Sequence, residues 1–423
     1  MRLLLLCLCL LGPAGVRGGS LGASPEEFRM RRANLAKALP DGLTVLFGRT
    51  EKDSDDLRTA FFQEANFFYL TGWMEPGAVV LIEPRAQGAP REVLFLPKRN
   101  ETQEKWTGRK AAPEDPDVHA ATGFDVVLPL ESLEAEVKSS LGRTYRIYSV
   151  GEAATASLKA LAPLRDVASA AKAIARLRMV KSEHELEILQ WAADASMEAH
   201  RVAWKRAEPG LYEYQIAAAM TGIYFDRGCE RSAYAPIVGS GPNSTVLHYS
   251  RNSRRMDRGE LLLLDVGAEC GGYAADITRT IPVGAKFSAR QREIYDIVLG
   301  AQQAAIAAVK PGAVIAKSAP GSLYQIAYDY INSHGKDKHG ETLGKYFIHG
   351  LSHHVGLEVH DAWDPEMPLQ EGMVITIEPG IYIPEEGIGV RIEDMVLVTK
   401  EGGRLLTGAL PRDPAEIEKA IRQ

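Results

Sequence analysis

Cysteine is scarce in this 423-residue chain: there are four, and two of them, Cys7 and Cys9, fall inside an apolar N-terminal run. The remaining Cys229 and Cys270 cannot build the dense framework that staples small secreted domains, and a chain of this size does not need one. Their spacing leaves open whether they pair. Excess positive charge is also missing. Lysine and arginine number 49 against 55 aspartates and glutamates, a net charge of −6, so nothing points to nucleic acid or an anionic membrane as partner. No apolar run reaches the roughly 20 residues of a spanning helix. No fixed-period repeat or heptad run occurs, which excludes solenoids and long coiled coils. The 39 glycines and 23 prolines are dispersed, as in a loop-rich fold and not in a low-complexity chain.

What is present begins with residues 1–23. Arg2, the apolar run Leu3–Leu11 and the small residues after it have the form of a secretory signal peptide. Cleavage is expected between Ala14 and Ala23, with export to the periplasm or the outside and no span in the mature chain. At roughly 100–200 residues per domain, the rest makes two domains. Residues 24–172 alternate helical and strand patterns: a helix at Pro25–Ala38, then strands at Leu43–Gly48, Asn66–Leu70, Ala78–Ile82, Glu92–Pro97 and Asp125–Pro129. A mixed sheet with helical cover follows. This half shows no clustered titratable groups and suits gating or assembly. Residues 173–423 form the second domain, whose first long helix starts at the capping box Ser182–Glu185. Further helices are expected at 211–228, 288–309 and 321–334.

The second domain carries the chemistry. Leu261–Val266 and Tyr273–Thr280 read as a buried hairpin. Folded about Cys270–Gly271, it sets Asp265 directly opposite Asp276. A second hairpin, 375–398, folded about Glu385–Glu386, sets Glu378 opposite Glu393. Like charges facing each other in a sheet repel, and buried carboxylates cost several kcal/mol each unless something neutralises them. Divalent metal ions do this best. Four carboxylates and one imidazole suit two hard-to-borderline ions such as Mn²⁺ or Co²⁺. Imidazoles are plentiful nearby: HGLSHHVGLEVHD, His349–Asp361, holds four of the ten histidines.

With DVGAECGGYAADITRT, ITIEPGIYI and GVRIEDM, that stretch resembles the proline-peptidase branch of the "pita-bread" metallopeptidases. It is most similar to the Xaa-Pro aminopeptidases (aminopeptidase P) and next to prolidases. ANFFYLTGWMEPGAVVLI resembles the creatinase-like N-terminal domain of the same proteins. The resemblance implies an α+β chain with a creatinase-like α/β domain before a pita-bread catalytic domain. It implies the metal ligands Asp265, Asp276, His353, Glu378 and Glu393, holding two divalent ions, Mn²⁺ first and Co²⁺ or Zn²⁺ as alternatives. It assigns His248, His349, His360, Tyr382 and Arg391 to the substrate. His248 and His360 would steady the tetrahedral state, and Glu378 would pass a proton to the leaving proline nitrogen. Substrates would be peptides with proline second, the alternative being Xaa-Pro dipeptides, and a non-catalytic binding protein is disfavoured because no ligand is missing. The resemblance further implies a homo-oligomer, dimer or tetramer. His354 falls at a variable place and reads as structural or exposed.

Overall fold

The computed structural model describes residues 23–53, 60–284 and 286–422, and the expected leader, apart from its last residue Ala23, lies outside the described residues. Two units divide between Ala168 and Ser169. In the N-terminal unit the apolar runs become one mixed sheet in the order 127–129, 91–96, 79–83, 42–47, 146–149, 167–169. The strands 91–96, 79–83 and 42–47 run antiparallel, while 146–149 and 127–129 join them in parallel. Alternate residues Leu43, Val45, Val79, Leu81, Val93 and Phe95 face a core closed by Val137, Leu141 and Leu158, as the period of two requires.

One expected strand is a helix. Ala65–Thr71 is α-helical, although its aromatic run has the composition of a strand. The end signals decide. Glu64 caps the start by accepting from the Phe67 N–H at 2.7 Å, and Gly72 ends it in the left-handed region, φ 65°. Its last carbonyls are satisfied by the helix Pro25–Ala38: Arg31 donates to Tyr69 O at 3.1 Å and Arg32 to Leu70 O at 2.9 Å. The expectation of no clustered titratable groups also fails. Buried Glu83 accepts from Arg143 at 2.6 and 2.9 Å and from Ser140 at 2.8 Å. Burial alone would raise its carboxyl, but those bonds hold it below the usual glutamate value.

In the C-terminal unit both hairpins form. The first pairs 261–265 with 278–282 and continues as 268–270 with 273–274. The second pairs 374–377 with 394–398 and continues as 380–383 with 388–391. The helix Glu183–Arg206 packs on the first hairpin and Ala289–Ala307 on the second. The capping box is present: Ser182 Oγ accepts from the Glu185 N–H at 3.2 Å, and Glu185 accepts from the Ser182 N–H at 3.0 Å. The hairpins meet where the Glu393 N–H donates to Thr278 O at 3.0 Å. A disulfide joins Cys229, just after the helix Glu213–Asp226, to Cys270 at the tip of the first hairpin. Among the described residues no helix is long and apolar enough to cross a membrane.

Candidate metal centre

The first hairpin is in a register two residues from the expected one. Cys270 pairs with Tyr273 and Asp265 with Thr278, so Asp276 stands opposite Gly267 and not Asp265. Gly271 and Gly272 take φ of 60° and 78°, the pair of positive values that a tight hairpin turn needs. The turn therefore centres between the two glycines, not at Cys270–Gly271. Because the slip is an even number of residues, each side chain keeps its face. Asp265 and Asp276 become diagonal neighbours, and the hydroxyl of Tyr234 lies 2.6 Å from an oxygen of each.

The second hairpin has the expected register. Ile377 pairs with Asp394 and Gly380 with Arg391, which brackets Glu378 and Glu393 opposite one another. Neither glutamate lies within the regular ladder. The Glu378 N–H donates to Leu351 O at 2.9 Å. Gln302, fully buried on the helix Ala289–Ala307, spans the gap: its amide donates to Ile377 O at 3.2 Å and Ile392 O at 3.1 Å. Arg279 secures the other side. Its five N–H groups reach Pro411 O, Thr278 O, Glu393 O, Asp394 Oδ1 and Leu410 O, the full capacity of a guanidinium.

His353 completes the group. Its Nδ1 donates to His354 O at 3.1 Å, which leaves Nε2 to face Asp276 Oδ2 at 3.3 Å and Glu378 Oε1 at 3.4 Å. A backbone acceptor on one ring nitrogen is the usual way an imidazole is aimed at a metal. Among the described residues, Asp276, His353 and Glu393 each offer a ligand atom within 4.8 Å of the others. Asp265 is linked to that group through Tyr234 and Glu378 through His353, and all five line one cavity of about 620 Å³. The charge in it is unbalanced. Burial, then Asp276, Glu378 and Asp265, push the Glu393 carboxyl well above the usual range. Burial raises Glu378 to about 7. For His353 burial works downward, but Asp276 and Glu378 overrule it and raise the ring to about 9. Glu393 Oε1 is buried with no hydrogen-bond partner. A donor set of oxygens and one imidazole, with an orphaned oxygen and surplus negative charge, fits a divalent cation.

The other expected residues fall around this group. His248, His349, His360 and Arg391 line the same cavity. His360 stacks edge-on against His353, with ring centroids 4.3 Å apart. Tyr382 is not on the cavity wall; it is buried behind it. Arg391 donates to its hydroxyl at 2.7 Å, and that hydroxyl lies 2.8 Å from His349 Nε2, while His349 Nδ1 donates to Gly350 O at 2.7 Å. Burial and the nearby Arg391 hold His349 down at about 3, so its ring is neutral. His354 is buried and away from the cavity wall. Asp361 anchors the end of the histidine stretch, accepting from Arg178 at 2.5 Å and Lys181 at 2.8 Å.

A model of "Metallopeptidase family M24" matches residues 187–400, and one of "Aminopeptidase P, N-terminal domain" matches 28–148. The chain belongs to metallopeptidase family M24. An Xaa-Pro aminopeptidase of Haemophilus influenzae is 35% identical over 94% of this chain and 97% of its own, and that of Escherichia coli is 33% identical over 93% and 97%. Among solved structures, a putative aminopeptidase P from Bacillus anthracis superposes with a TM-score of 0.86 at 32% identity, covering 95% of this chain and 99% of its own. Aminopeptidase P from E. coli with the inhibitor Pro-Leu does so at 0.84 and 31%, covering 95% and 98%. The two-part α+β organisation expected from the sequence is thus that of the family.

Several residues that shape this M24 site were not picked out from the sequence: Tyr234, Gln302, Arg279 and the hydroxyls of Thr278 and Thr376. Thr278 Oγ1 donates to Glu393 at 2.6 Å and Thr376 Oγ1 to Glu378 at 3.2 Å. Each threonine lies within a buried strand, and Gln302 sits among alanines on a buried helix face. A polar residue where the pattern calls for an apolar one was the available signal.

Proposed function

We propose that this protein hydrolyses the bond between an N-terminal residue and a following proline in peptides, using two divalent ions, Mn²⁺ first and Co²⁺ or Zn²⁺ as alternatives. The observation that carries this reading is the buried, charge-unbalanced group Asp276, His353 and Glu393 in a peptide-sized cavity. Its context is a chain that matches Xaa-Pro aminopeptidases almost end to end. Asp265, Asp276, His353, Glu378 and Glu393 would hold the ions. When bound, the ions supply positive charge for a developing oxyanion and make water more acidic.

The chain's own groups do the rest. His248 and His360 present imidazole N–H groups toward the carbonyl oxygen as it gains charge. Glu378 carries a proton to the leaving nitrogen. That nitrogen belongs to proline, which has no N–H to offer and a fixed backbone angle. The neutral ring of His349, held by Tyr382 and Gly350, forms a wall for the pyrrolidine, and Arg391 sits beside it.

The test is direct. Purified protein loaded with Mn²⁺ is offered an Xaa-Pro dipeptide and an Xaa-Pro-Yaa-Zaa peptide. Release of the first residue from the longer peptide is the expected result. Cleavage of the dipeptide alone would favour a prolidase, and no cleavage with Mn²⁺, Co²⁺ or Zn²⁺ would overturn the reading.

Export is part of the proposal. The Leu-rich start supports it, and so does the Cys229–Cys270 disulfide, because disulfides persist in oxidising compartments. N-terminal sequencing of the secreted protein should find a start after a cut between Ala14 and Ala23; an intact Met1 would reject it. A dimer or tetramer is the assembly proposed, and light scattering on the eluted protein tests it.

A further inference from the structure

His248 reaches the cavity from an irregular segment, with its ring exposed to the cavity. No hydrogen bond among the described residues holds that ring, so its place depends strongly on the path of the backbone at residues 241–254. One buried carboxylate organises that backbone. Glu213, at the first turn of the helix Glu213–Asp226 and wholly buried, accepts five hydrogen bonds. Its Oε1 takes the Ser240 N–H at 2.7 Å, the Ser240 hydroxyl at 2.8 Å and the Asn243 amide at 3.0 Å. Its Oε2 takes the Tyr249 hydroxyl at 2.7 Å and the Arg254 N–H at 2.8 Å. Its own N–H donates to Arg254 O at 3.0 Å.

Every one of those partners lies between Ser240 and Arg254, on both sides of His248, and one is its direct neighbour Tyr249. A buried carboxylate is an expensive way to fill space, and an apolar side chain of similar size usually packs as well or better. Five donors from one segment instead give that segment one geometry. The far side is equally constrained. Ser244 Oγ accepts from the Gly389 N–H at 2.9 Å. Here the segment lies so close to the strand 388–391 that a Cβ on Gly389 would stand 1.9 Å from Ser244 O. Asn252, in the left-handed region at φ 48°, holds the exit by accepting from the Val238 N–H at 3.0 Å and donating to Pro236 O at 2.8 Å.

We infer that Glu213 is a positioning residue for His248: through five hydrogen bonds to residues 240–254 it aims that imidazole at the substrate carbonyl. The inference rests on the Xaa-Pro peptidase reading for what His248 does, but the placement itself is a property of this fold.

The test is a double-mutant cycle. Glu213→Gln puts an amide NH₂ against donors at one of the two oxygen positions, so at least one of the five bonds is lost. On Mn²⁺-loaded protein, kcat/KM for an Xaa-Pro peptide should fall on the order of 10²-fold, the cost of a misplaced group, with the fall mostly in kcat and the metal content unchanged. In a His248→Ala background the same change should cost no more than about 2-fold, because coupled residues are not additive. Tyr249→Phe, which removes one bond and folds more safely, should give a smaller loss that also vanishes in the His248→Ala background. Losses that multiply with His248→Ala, or a Glu213→Gln enzyme with normal kcat, would overturn the inference. A second readout does not depend on activity: with diamagnetic Zn²⁺ present, the His248 ring resonance should be single in the wild type and broadened or displaced by Glu213→Gln. An unmoved resonance overturns the inference, whereas a moved resonance with a wild type inert toward Xaa-Pro peptides overturns only the functional reading.

Discussion

Glu83, at the end of an apolar strand, and Glu393, between two of them, are both buried glutamates, one in each unit, and they end in opposite states. Around Glu83 the charges are matched: Arg143 grips it with two nitrogens, Ser140 adds a hydroxyl, and the carboxyl stays below its usual range. Around Glu393 three more carboxylates crowd in, one oxygen has no partner, and the carboxyl is driven far upward. Burial is common to both and so decides nothing. What separates a structural charge from a functional one here is whether the chain supplies the neutralising partner or leaves that to something it must bind.

The largest test of that contrast is Glu393→Gln. It should lower Mn²⁺-dependent kcat/KM by at least about 10³-fold, the scale at which a central catalytic interaction is lost. Metal analysis should find less than the full complement. The metal-stripped variant should nevertheless melt about 2–4 °C above the stripped wild type, because a carboxyl held in a site that penalises its ionised form has gone. A stripped variant that melts lower would mean that the site stabilises the carboxyl after all. A smaller effect is expected from Gln302→Leu, which removes the amide spanning the two glutamate strands without touching any of the five proposed ligands. Mn²⁺ affinity by calorimetry should fall about 10-fold, the lower range for supporting residues; unchanged affinity would show that the strands hold themselves.

Glu83→Gln should have the smallest effect, costing about 1–3 kcal/mol of stability, since Arg143 is half exposed and water can take over part of its role. The catalytic rate per folded molecule should not change. The pH dependence has a definite sign. A carboxyl held down in the folded state contributes stability above its unfolded value, near 4.5, and loses it as pH falls through the folded value. The melting-temperature gap between wild type and variant should therefore close on acidification; a gap that widens would contradict the matched-charge account.

The same contrast explains what was legible in the sequence. The register of the second hairpin could be read because apolar strands flank a single turn candidate, PEEG. The first offered Cys270-Gly271-Gly272, which can turn in two places, and only the backbone angles of both glycines choose between them. The aspartates stayed together because the slip was even. At Ala65–Thr71 aromatic content suggested a strand, and the caps at Glu64 and Gly72 overrode it. Which imidazole faces the carboxylates came from family resemblance and not from spacing, since four histidines stand within thirteen residues. Glu213, Tyr234 and Gln302 were not legible because their meaning lies in partners 27 to 110 residues away. No local pattern announces such a partner.

Gly389 bears on how freely this enzyme can change. The contact between its strand and the Ser244 carbonyl leaves no room for even a methyl group. The segment carrying His248 and the strand carrying Arg391 are thus pressed together at a point outside the cavity lining. A library that randomises residue 389 under selection for peptidase activity should return glycine almost alone, as stringently as at a metal ligand. Attempts to widen substrate range by remodelling 241–254 will have to keep that seam intact, so the loop can be redesigned in sequence far more readily than in path.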